Sequence, residues 1–183
     1  MNVSTTHNGD SNDMRTGGAF GYATNNQPQY IAIDNCGVVA TSVTVGGGKT
    51  AGGFIGMTSS TNKNTNRFRI RNCYTMVFSI TGAATEYGGF VGNAKSYGEL
   101  HHCYYVANDS NTVISANVTK EDLAQKTALE IASATTCDTF NANNYVLTIG
   151  STNYGSSLGW VIPADCNYPV PGSLINKGEE YYK

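Results

Sequence analysis

The chain has 183 residues, a formal charge of −2 at pH 7 and only 13% charged residues. A protein that binds nucleic acid without sequence preference needs a concentrated positive surface, so this class is excluded. Gly, Asn, Thr and Ser together make up 76 residues, and this composition disfavours long helices and favours strands and turns. Because 40% of the residues are hydrophobic, the chain can still bury a core. We therefore predict an all-β protein of one domain, or of one domain with a small appendage.

The first residues carry neither the basic nor the apolar segment of a secretory signal, and no run of about 18 apolar residues occurs that would span a bilayer. A surface rich in Thr, Ser, Asn and Gly with few charges is typical of extracellular proteins. We therefore expect an extracellular or cell-surface location, with the signal peptide upstream in a longer parent chain and with residues 1–16 as a partly flexible leader. A cytoplasmic location is the alternative.

A glycine-rich signature recurs three times, over residues 17–21, 52–56 and 88–92, at spacings of 35 and 36 residues. In the second and third copies, the residues that we expect to have a structural role are Gly52, Gly53, Phe54, Gly56, Gly88, Gly89, Phe90 and Gly92. A second signature follows each copy and contains a cysteine: Cys36, Cys73 and Cys103. Two signatures that recur in a fixed order indicate a structural repeat.

The repeat predicts a β-solenoid, similar to a parallel β-helix, built from units 17–51, 52–87 and 88–115. Every second side chain should point inward and stack on its equivalent in the next unit, at a spacing of about 4.8 Å. The expected ladders are Phe20, Phe54 and Phe90; Ile33, Ile70 and Leu100; and Cys36, Cys73 and Cys103. The segments of variable length between the signatures should be loops that leave one side of the stack.

The sequence Gly-Gly-Phe-Ile-Gly at 52–56, followed by Ile-Arg-Asn-Cys-Tyr at 70–74, resembles the GLUG repeat of bacterial cell-surface proteins, which include large adhesins. The resemblance covers residues 17–115, with Gly37 in place of Tyr in the first unit and His102 in place of Asn in the third. It implies a non-enzymatic structural and adhesive module of a larger surface or secreted protein. Such a stack would act as a stalk and display scaffold, continue into further repeats or domains, and bind glycan or host protein.

Residues 116–183 differ in composition and are predicted to cap the stack. Thr119 followed by Asp122 is typical of a helix N-cap, and the content of 123–134 predicts one short helix. Strands are predicted at 144–149 and 159–162, after which the proline-containing segment should leave the sheet. Because an exposed strand edge recruits other chains, we expect this region to cover the open end, with Trp160 as its apolar plug.

Two glycine motifs resemble catalytic sequences but lack the context that the chemistry needs. Gly-Gly-Gly-Lys-Thr at 46–50 lacks the first glycine of a phosphate-binding loop, which is Val43 here, and no helical sequence follows it. Gly-Ser-Ser-Leu-Gly at 155–159 matches a nucleophile elbow, but no histidine follows it. We interpret both motifs as turns.

Neighbouring strand residues point to opposite faces, so His101 and Cys103 should share one face and His102 should lie on the other. Two ligands on one face are too few for a zinc site. A hydrogen-bonded structural histidine is the favoured interpretation. Asp10 and Asp13 could bind Ca²⁺, but they lack the spacing of a calcium loop, so we expect no cofactor, with Ca²⁺ as the weak alternative.

The five cysteines do not form a dense disulfide framework. The three repeat cysteines should be inert, buried core residues, since cysteine is often fully buried. Cys137 and Cys166 could form a disulfide if the protein folds in an oxidising compartment.

The candidate binding residues are the tyrosines that follow the cysteine signature: Tyr74, Tyr104 and Tyr105. If exposed on a flat stack, they would form a contact surface for sugar or protein. The alternative is that these rings simply cover the sheet, as the strand propensity of aromatic residues favours. We expect no nucleic-acid partner and no membrane insertion of this segment.

The rival function is that of a polysaccharide-processing β-helix enzyme, a lyase or a glycosidase. Glycoside hydrolysis usually needs two carboxyl groups on either side of the bond that is cleaved. The candidate carboxylates of the repeat region are Asp34, Glu86, Glu99 and Asp109. They do not recur in register, so we predict no catalytic residues and a protein that is not an enzyme.

Overall fold

The structure is a computed structural model that describes residues 2–5, 15–25, 31–46, 49–60, 68–95, 97–107, 112–143, 147–149, 152–154, 159–164 and 166–172. Its strands are β1 (Asn2–Thr5), β2 (Arg15–Gly17), β3 (Phe20–Asn25), β4 (Ile31–Asp34), β5 (Gly37–Val45), β6 (Thr50–Gly52), β7 (Ile55–Ser60), β8 (Phe68–Gly82), β9 (Glu86–Gly88), β10 (Val91–Ala94), β11 (Gly98–Tyr105), β12 (Val113–Ile114), β13 (Val118–Gln125), β14 (Leu147–Ile149), β15 (Thr152–Tyr154), β16 (Trp160–Val161) and β17 (Val170–Pro171). Its helices are α1 (Ala128–Ile131) and α2 (Ala134–Ala142).

Three parallel sheets contain most of the strands. The largest has the order β1-β5-β8-β11-β13, with β4 also paired to β8. The second has the order β12-β10-β7-β3, and the third has the order β2-β6-β9. All pairings described within these sheets are parallel. The protein is therefore mostly β, as the composition predicted, and its sheets are parallel.

Equivalent strands of successive repeats pair residue for residue. We call the strands of one repeat a rung: β2–β5 form the first, β6–β8 the second, β9–β11 the third and β12–β13 the fourth. Two ladders of paired residues that cross the rungs are Gly17, Gly52 and Gly88, and Ile33, Ile70 and Leu100. The period of about 35 residues thus brings like side chains together.

The fourth rung extends the largest sheet beyond residue 115, where the sequence predicted the repeats to end. Within it, β13 pairs with β11 from Val118 to Gln125. The predicted N-cap at Thr119 and the start of the predicted helix over 123–134 are therefore wrong, whereas α1 lies inside the predicted range. Parallel pairing along β11 overrides the helix propensity of the Leu and Ala residues there. The N-cap of α1 is Thr127, which forms a capping box with Glu130.

The strands of the largest sheet bend at one equivalent residue in every rung. These residues have a left-handed backbone, with φ of 57° at Asn35, 50° at Asn72, 50° at His102 and 55° at Asp122. Asn, Asp and His are the non-glycine residues most often found in this region. The bend interrupts strict alternation, so that Leu100 and Cys103, three residues apart, both belong to the core between the sheets.

The main core lies between the three sheets and includes Phe54, Phe68, Ile70, Phe90 and Leu100. The rings of Phe54 and Phe90 stack with their centroids 4.9 Å apart, as the repeat predicted. Parallel stacking of equivalent rings fills the interior with the same side chain from one rung to the next.

Phe20 does not stack on Phe54 as the third ring of this series, which is where the repeat predicted it. It pairs with Ile55, and Ala19 donates its backbone N–H to Phe54 O, so Ala19 occupies the ladder position of Phe54. Phe20 is 41% exposed and its ring meets that of Phe54 edge-on at 6.0 Å. The reason is visible in the sequence, because the first copy has its aromatic residue one position later than the others.

The two helices pack against the outer face of the largest sheet. They form a second core with members from several rungs: Tyr74, Met76, Tyr104, Ile131, Cys137, Phe140 and Trp160. Trp160 contacts Tyr74 and Phe140, with ring centroids 5.9 and 5.0 Å apart. The expectation that Trp160 plugs the open end is therefore wrong, since it covers a side of the sheet instead.

The C-terminal strands are short and antiparallel. β14 lies within the predicted strand at 144–149, and it pairs with β15. β16 pairs with β17 through Trp160 and Pro171, so the proline segment returns to a strand rather than leaving it. Across the described parts of the chain, neither helix has the length and apolar character needed to cross a bilayer.

Candidate functional site

Each residue of the Asn-Cys-Tyr signature has its own structural task. In the second rung, Asn72 supplies the left-handed bend, Cys73 enters the main core and Tyr74 enters the second core. The side-chain amide of Asn72 donates hydrogen bonds to Phe140 O at 3.0 Å and to Asn143 O at 2.7 Å. These carbonyls lie at the C-terminal end of α2, so the bend anchors that helix to the sheet.

The three candidate binding tyrosines are buried, which corrects the expectation of an exposed contact surface. Tyr74 is 2% exposed, Tyr104 is 1% and Tyr105 is 8%. Tyr74 and Tyr104 point outward but lie beneath the helical region, whereas Tyr105 belongs to the main core. Tyr74 Oη donates to Pro169 O at 2.6 Å, and Tyr104 Oη donates to the Asp122 carboxylate. Burial raises the pKa of both phenols, so they remain neutral donors.

A charged row crosses the outer face of the largest sheet on the N-terminal side of the bends. It consists of Asp34, Arg71, His101 and Glu121, which pair in successive strands. The Arg71 guanidinium donates to both carboxylate oxygens of Asp34, at 2.8 and 2.6 Å. His101 Nδ1 lies 2.8 Å from Glu121 Oε2, and His101 Nε2 lies 3.8 Å from Glu99 Oε2.

His101 and Cys103 lie on opposite faces, which corrects the expectation that they share one. The left-handed bend at His102 shifts the alternation, so Cys103 turns into the core while His101 stays outside. His101 forms a hydrogen bond with the Glu121 carboxylate, as the structural interpretation of this histidine expects. Across the described residues, no group of three or more His, Cys, Asp and Glu side chains is arranged to hold a metal ion.

The carboxylates considered for hydrolysis are dispersed. Asp34 is held by Arg71, and Glu86 Oε2 accepts a hydrogen bond of 2.5 Å from Asn93 Nδ2. Asp109 lies outside the described residues, as do Asp10 and Asp13. Glu99 approaches His101, whose other ring nitrogen contacts Glu121. Glu121 was not among the candidate residues, because the sequence from Thr119 to Asp122 is typical of a helix cap.

A groove of about 460 Å³ lies where the outer face of the sheet emerges from beneath the helices. We call it the α1 groove, and its lining residues are Phe78, Val106, Gln125, Lys126, Thr127, Ala128 and Glu130. Phe78 is 54% exposed and continues the outward row of Tyr74 and Met76 along β8. This alternation along β8 could have predicted that Phe78 faces outward. The other residues of the groove could not be predicted in this way, because most of them come from a segment about fifty residues away.

Polar side chains line the same groove as the Phe78 ring. The Lys126 ammonium lies over the Tyr104 ring at 3.3 Å, and Gln125 Nε2 donates to Val106 O at 3.2 Å. Glu130 accepts hydrogen bonds from Thr127, which hold its carboxylate at the groove wall. An exposed aromatic face with a few fixed polar groups is an arrangement that suits an amphipathic ligand such as a sugar.

All five cysteines are free thiols. Cys73 and Cys103 are fully buried in the main core, and Cys36 packs against it. Cys137 and Cys166 are buried but not bonded to each other.

The two rejected glycine motifs differ in what the structure describes of them. Thr50 begins β6, so a strand follows the motif at 46–50 where a phosphate-binding loop needs a helix. Residues 155–158 lie outside the described part of the chain.

Comparisons with known proteins do not assign the chain to a group. No family model, no curated protein and no solved structure matches it.

Proposed function

We propose that this chain is a β-solenoid module of a larger bacterial surface or secreted protein, with a non-enzymatic role as a stalk and display scaffold. The GLUG-like signatures suggest this role, and the observation that carries it is the residue-for-residue parallel pairing of successive repeats. In the largest sheet, β11 is paired in this way with β8 on one side and with β13 on the other.

Repetition of one rung on another suits a stiff spacer. Each rung contacts mainly its neighbours, so length can be added without altering the packing of the rungs already present. The left-handed bends, the interior side chains and the paired glycines repeat together, and this supports a regular stack. The segments of variable length between the signatures are rich in Asn, Thr and Ser, and we propose them for display, although residues 26–30, 61–66 and 96 lie outside the described residues.

The α1 groove is the surface that we propose for ligand contact, with glycan as the ligand. Phe78 offers a ring face, while Gln125, Lys126 and Glu130 offer donors and acceptors at the wall. This surface replaces the three tyrosines, whose burial removes them from contact with any partner.

A glycan array probed with the purified full chain tests the proposed contact. We expect bound glycans whose affinity falls by about tenfold in Phe78→Ala, since stacking on an aromatic ring contributes about 0.5–1.5 kcal/mol or more. The matched control is Val113→Ala, which truncates another exposed apolar side chain, outside the groove. Equal binding by both variants, or no bound glycan, would contradict a glycan site in the groove.

The alternative function is a polysaccharide-processing enzyme, and the observation that favours it is the cluster of Glu99, His101 and Glu121. Two carboxylates contact one imidazole on an outer sheet face, an arrangement that can donate and accept protons. Incubation with the glycans that bind, followed by assays for new reducing ends and unsaturated products, separates cleavage from binding. Turnover that Glu99→Gln abolishes, with binding retained, would replace the adhesive proposal.

A further inference from the structure

Three cysteines of successive rungs form a file on the inner side of the bends. Cys103 pairs with Cys73 in the strand register. Cys36 lies beside Cys73, because Asp34 pairs with Arg71 and Gly37 pairs with Tyr74, and because Tyr74 N donates to Cys36 O at 3.0 Å. The file therefore runs through the first three rungs.

The three thiols share one orientation. Each donates to the carbonyl two residues earlier in its own chain: Cys36 Sγ to Asp34 O at 3.3 Å, Cys73 Sγ to Arg71 O at 3.2 Å and Cys103 Sγ to His101 O at 3.4 Å. Side chains with the same orientation on in-register strands lie one above another. Neighbouring strands are about 4.8 Å apart, which falls within the Cα separation of about 4.4–6.8 Å that a disulfide can bridge. The Cβ atoms of a disulfide are about 3.5–4.5 Å apart, so the bond requires a small movement of the two side chains toward each other.

Burial distinguishes the first thiol of the file from the other two. Cys73 and Cys103 are 0% exposed, whereas Cys36 is only half-buried. It lies in the first rung, where the described residues include no strand paired with the outer edge of β4. A small reagent can therefore reach Cys36, whereas Cys73 and Cys103 are closed to solvent.

The local electrostatics assign different roles to the two neighbouring thiols. When Cys36 is ionised, the Cys73 S–H turns from Arg71 O to the Cys36 sulfur, and this hydrogen bond lowers the pKa of the Cys36 thiol, against the opposing effects of partial burial and of Asp34. Burial raises the pKa of the Cys73 thiol. Cys36 is thus the thiol that ionises first, and Cys73 is the protonated neighbour that stabilises its thiolate.

We propose that Cys36 and Cys73 form a peroxide-sensitive dithiol that closes into a disulfide between the first and second rungs. The Cys36 thiolate attacks a hydroperoxide: an S–O bond forms, the O–O bond breaks, and the leaving oxygen takes a proton to give water or an alcohol. Cys73 then attacks the sulfenic sulfur, losing its proton as the S–S bond forms and the S–O bond breaks to release water. The two thiols supply the two electrons that reduce the peroxide.

The second step is the slow one, because the Cys73 thiol is buried and ionises with difficulty. Sulfenic acid on Cys36 should therefore precede the disulfide and be trapped by dimedone. The resulting cross-link ties the first rung to the second, so the oxidised protein should unfold at a higher denaturant concentration than the reduced one. The evidence for the dithiol is the strand register together with the burial and pKa directions of the two thiols, and it is independent of the proposed glycan contact.

Peptide mapping of the full chain tests the proposal. The reduced protein is treated with hydrogen peroxide, its remaining thiols are blocked with N-ethylmaleimide, and it is digested with trypsin. Cys36 falls in peptide 16–49, Cys73 in 72–95 and Cys103 in 96–120, while Cys137 and Cys166 share 127–177. We expect a cross-linked pair of peptides 16–49 and 72–95, preceded by a dimedone adduct on 16–49.

Two variants keep the test specific. Cys73→Ser should retain the dimedone adduct on Cys36 and lose the cross-link, and a variant with both Cys137→Ser and Cys166→Ser should form the cross-link as before. If Cys73→Ser fails to fold, the peptide mapping of the wild-type protein is sufficient to test the proposal. An unreactive Cys36, a reactive Cys36 without a cross-link, or a Cys73–Cys103 linkage in its place would overturn the proposal.

Discussion

The phenol ring of Tyr74 lies over Gly37, its partner in the neighbouring strand. A Cβ placed on Gly37 would overlap the ring and would come within 2.7 Å of its hydroxyl oxygen. Gly37 stands where the second and third rungs have Tyr74 and Tyr104. The departure from the repeat is therefore a packing requirement, because the first rung must leave room for the ring of the second.

The first prediction concerns this contact. Gly37→Ala should destabilise the protein by about 1–3 kcal/mol, since it overpacks a site that cannot expand freely. Urea unfolding measures the change, with Thr41→Ala in the same strand as the exposed control. The double variant Gly37→Ala with Tyr74→Ala should lose less than the sum of the two single variants. Additive losses would show that the ring does not press on Gly37.

The second prediction concerns the anchor of α2. Asn72→Gly keeps the left-handed backbone but removes the hydrogen bonds to Phe140 O and Asn143 O, so it should cost about 2–4 kcal/mol. In this variant, the rate of amide hydrogen exchange should increase most in residues 134–143, which form α2 and its C-cap. The matched control is His102→Gly at the equivalent bend of the third rung, which should change stability by less than about 1 kcal/mol. Equal losses in both variants would mean that the greater backbone freedom of glycine, rather than the lost amide hydrogen bonds, causes the destabilisation.

The third prediction concerns the capping box of α1. Thr127→Ala should cost about 1 kcal/mol of helix stability, because it removes the hydroxyl that accepts from Glu130 N. Hydrogen bonds from the Thr127 backbone and side chain lower the pKa of Glu130. A carboxylate with a lowered folded pKa stabilises the fold above its unfolded pKa and loses that contribution as the pH falls through the folded value.

An NMR titration of the Glu130 carboxyl carbon measures this effect. The titration midpoint should move toward the ordinary glutamate value in Thr127→Ala. Thr119→Ala changes the threonine that the sequence suggested as the cap, and it should leave the midpoint where it is. A shift of equal size in both variants would contradict the position of the cap.

Much of the fold was predictable because a repeat forces equivalent residues together. The pairing of Ile33, Ile70 and Leu100 follows from their common place in the cysteine signature, three residues before Cys36, Cys73 and Cys103. The bends were not predictable from alternation, because a left-handed residue in mid-strand changes which face the following side chains take. That change sends Cys103 inward and leaves His101 outside.

The candidate site was less predictable, because it depends on contacts between distant segments. Tyr74 and Tyr104 do face outward, but a helical region more than twenty residues beyond Tyr104 covers them. The groove at Phe78 is open because the helical region does not extend over this residue. No local pattern in a strand says which of its outward residues another segment will cover.

The fourth prediction concerns stability at high pH. Burial raises the pKa of the Cys73 and Cys103 thiols and of the Tyr74 phenol above their ordinary values of 9.0 and 10.0. Groups of this kind favour the folded state fully below their unfolded pKa, and the contribution is lost as the pH rises toward the folded value. The urea midpoint should therefore begin to fall above about pH 9.

Tyr74→Phe isolates the contribution of the phenol. It removes the hydrogen bond to Pro169 O and should cost about 1 kcal/mol at neutral pH. Above about pH 10, its midpoint should fall less steeply than that of the wild type, since a group that titrates has been removed. Parallel profiles for the two proteins would contradict a neutral, buried phenol at position 74.

Methyl NOE spectroscopy of the reduced, isotopically labelled chain tests the stacked repeats most directly. The account predicts strong cross-peaks that join the side-chain methyls of Ile33 to Ile70 and of Ile70 to Leu100, since these residues pair in successive strands. Methyls of Ile33, Ile70 and Leu100 that show cross-peaks only to other groups, and none along this series, would contradict it.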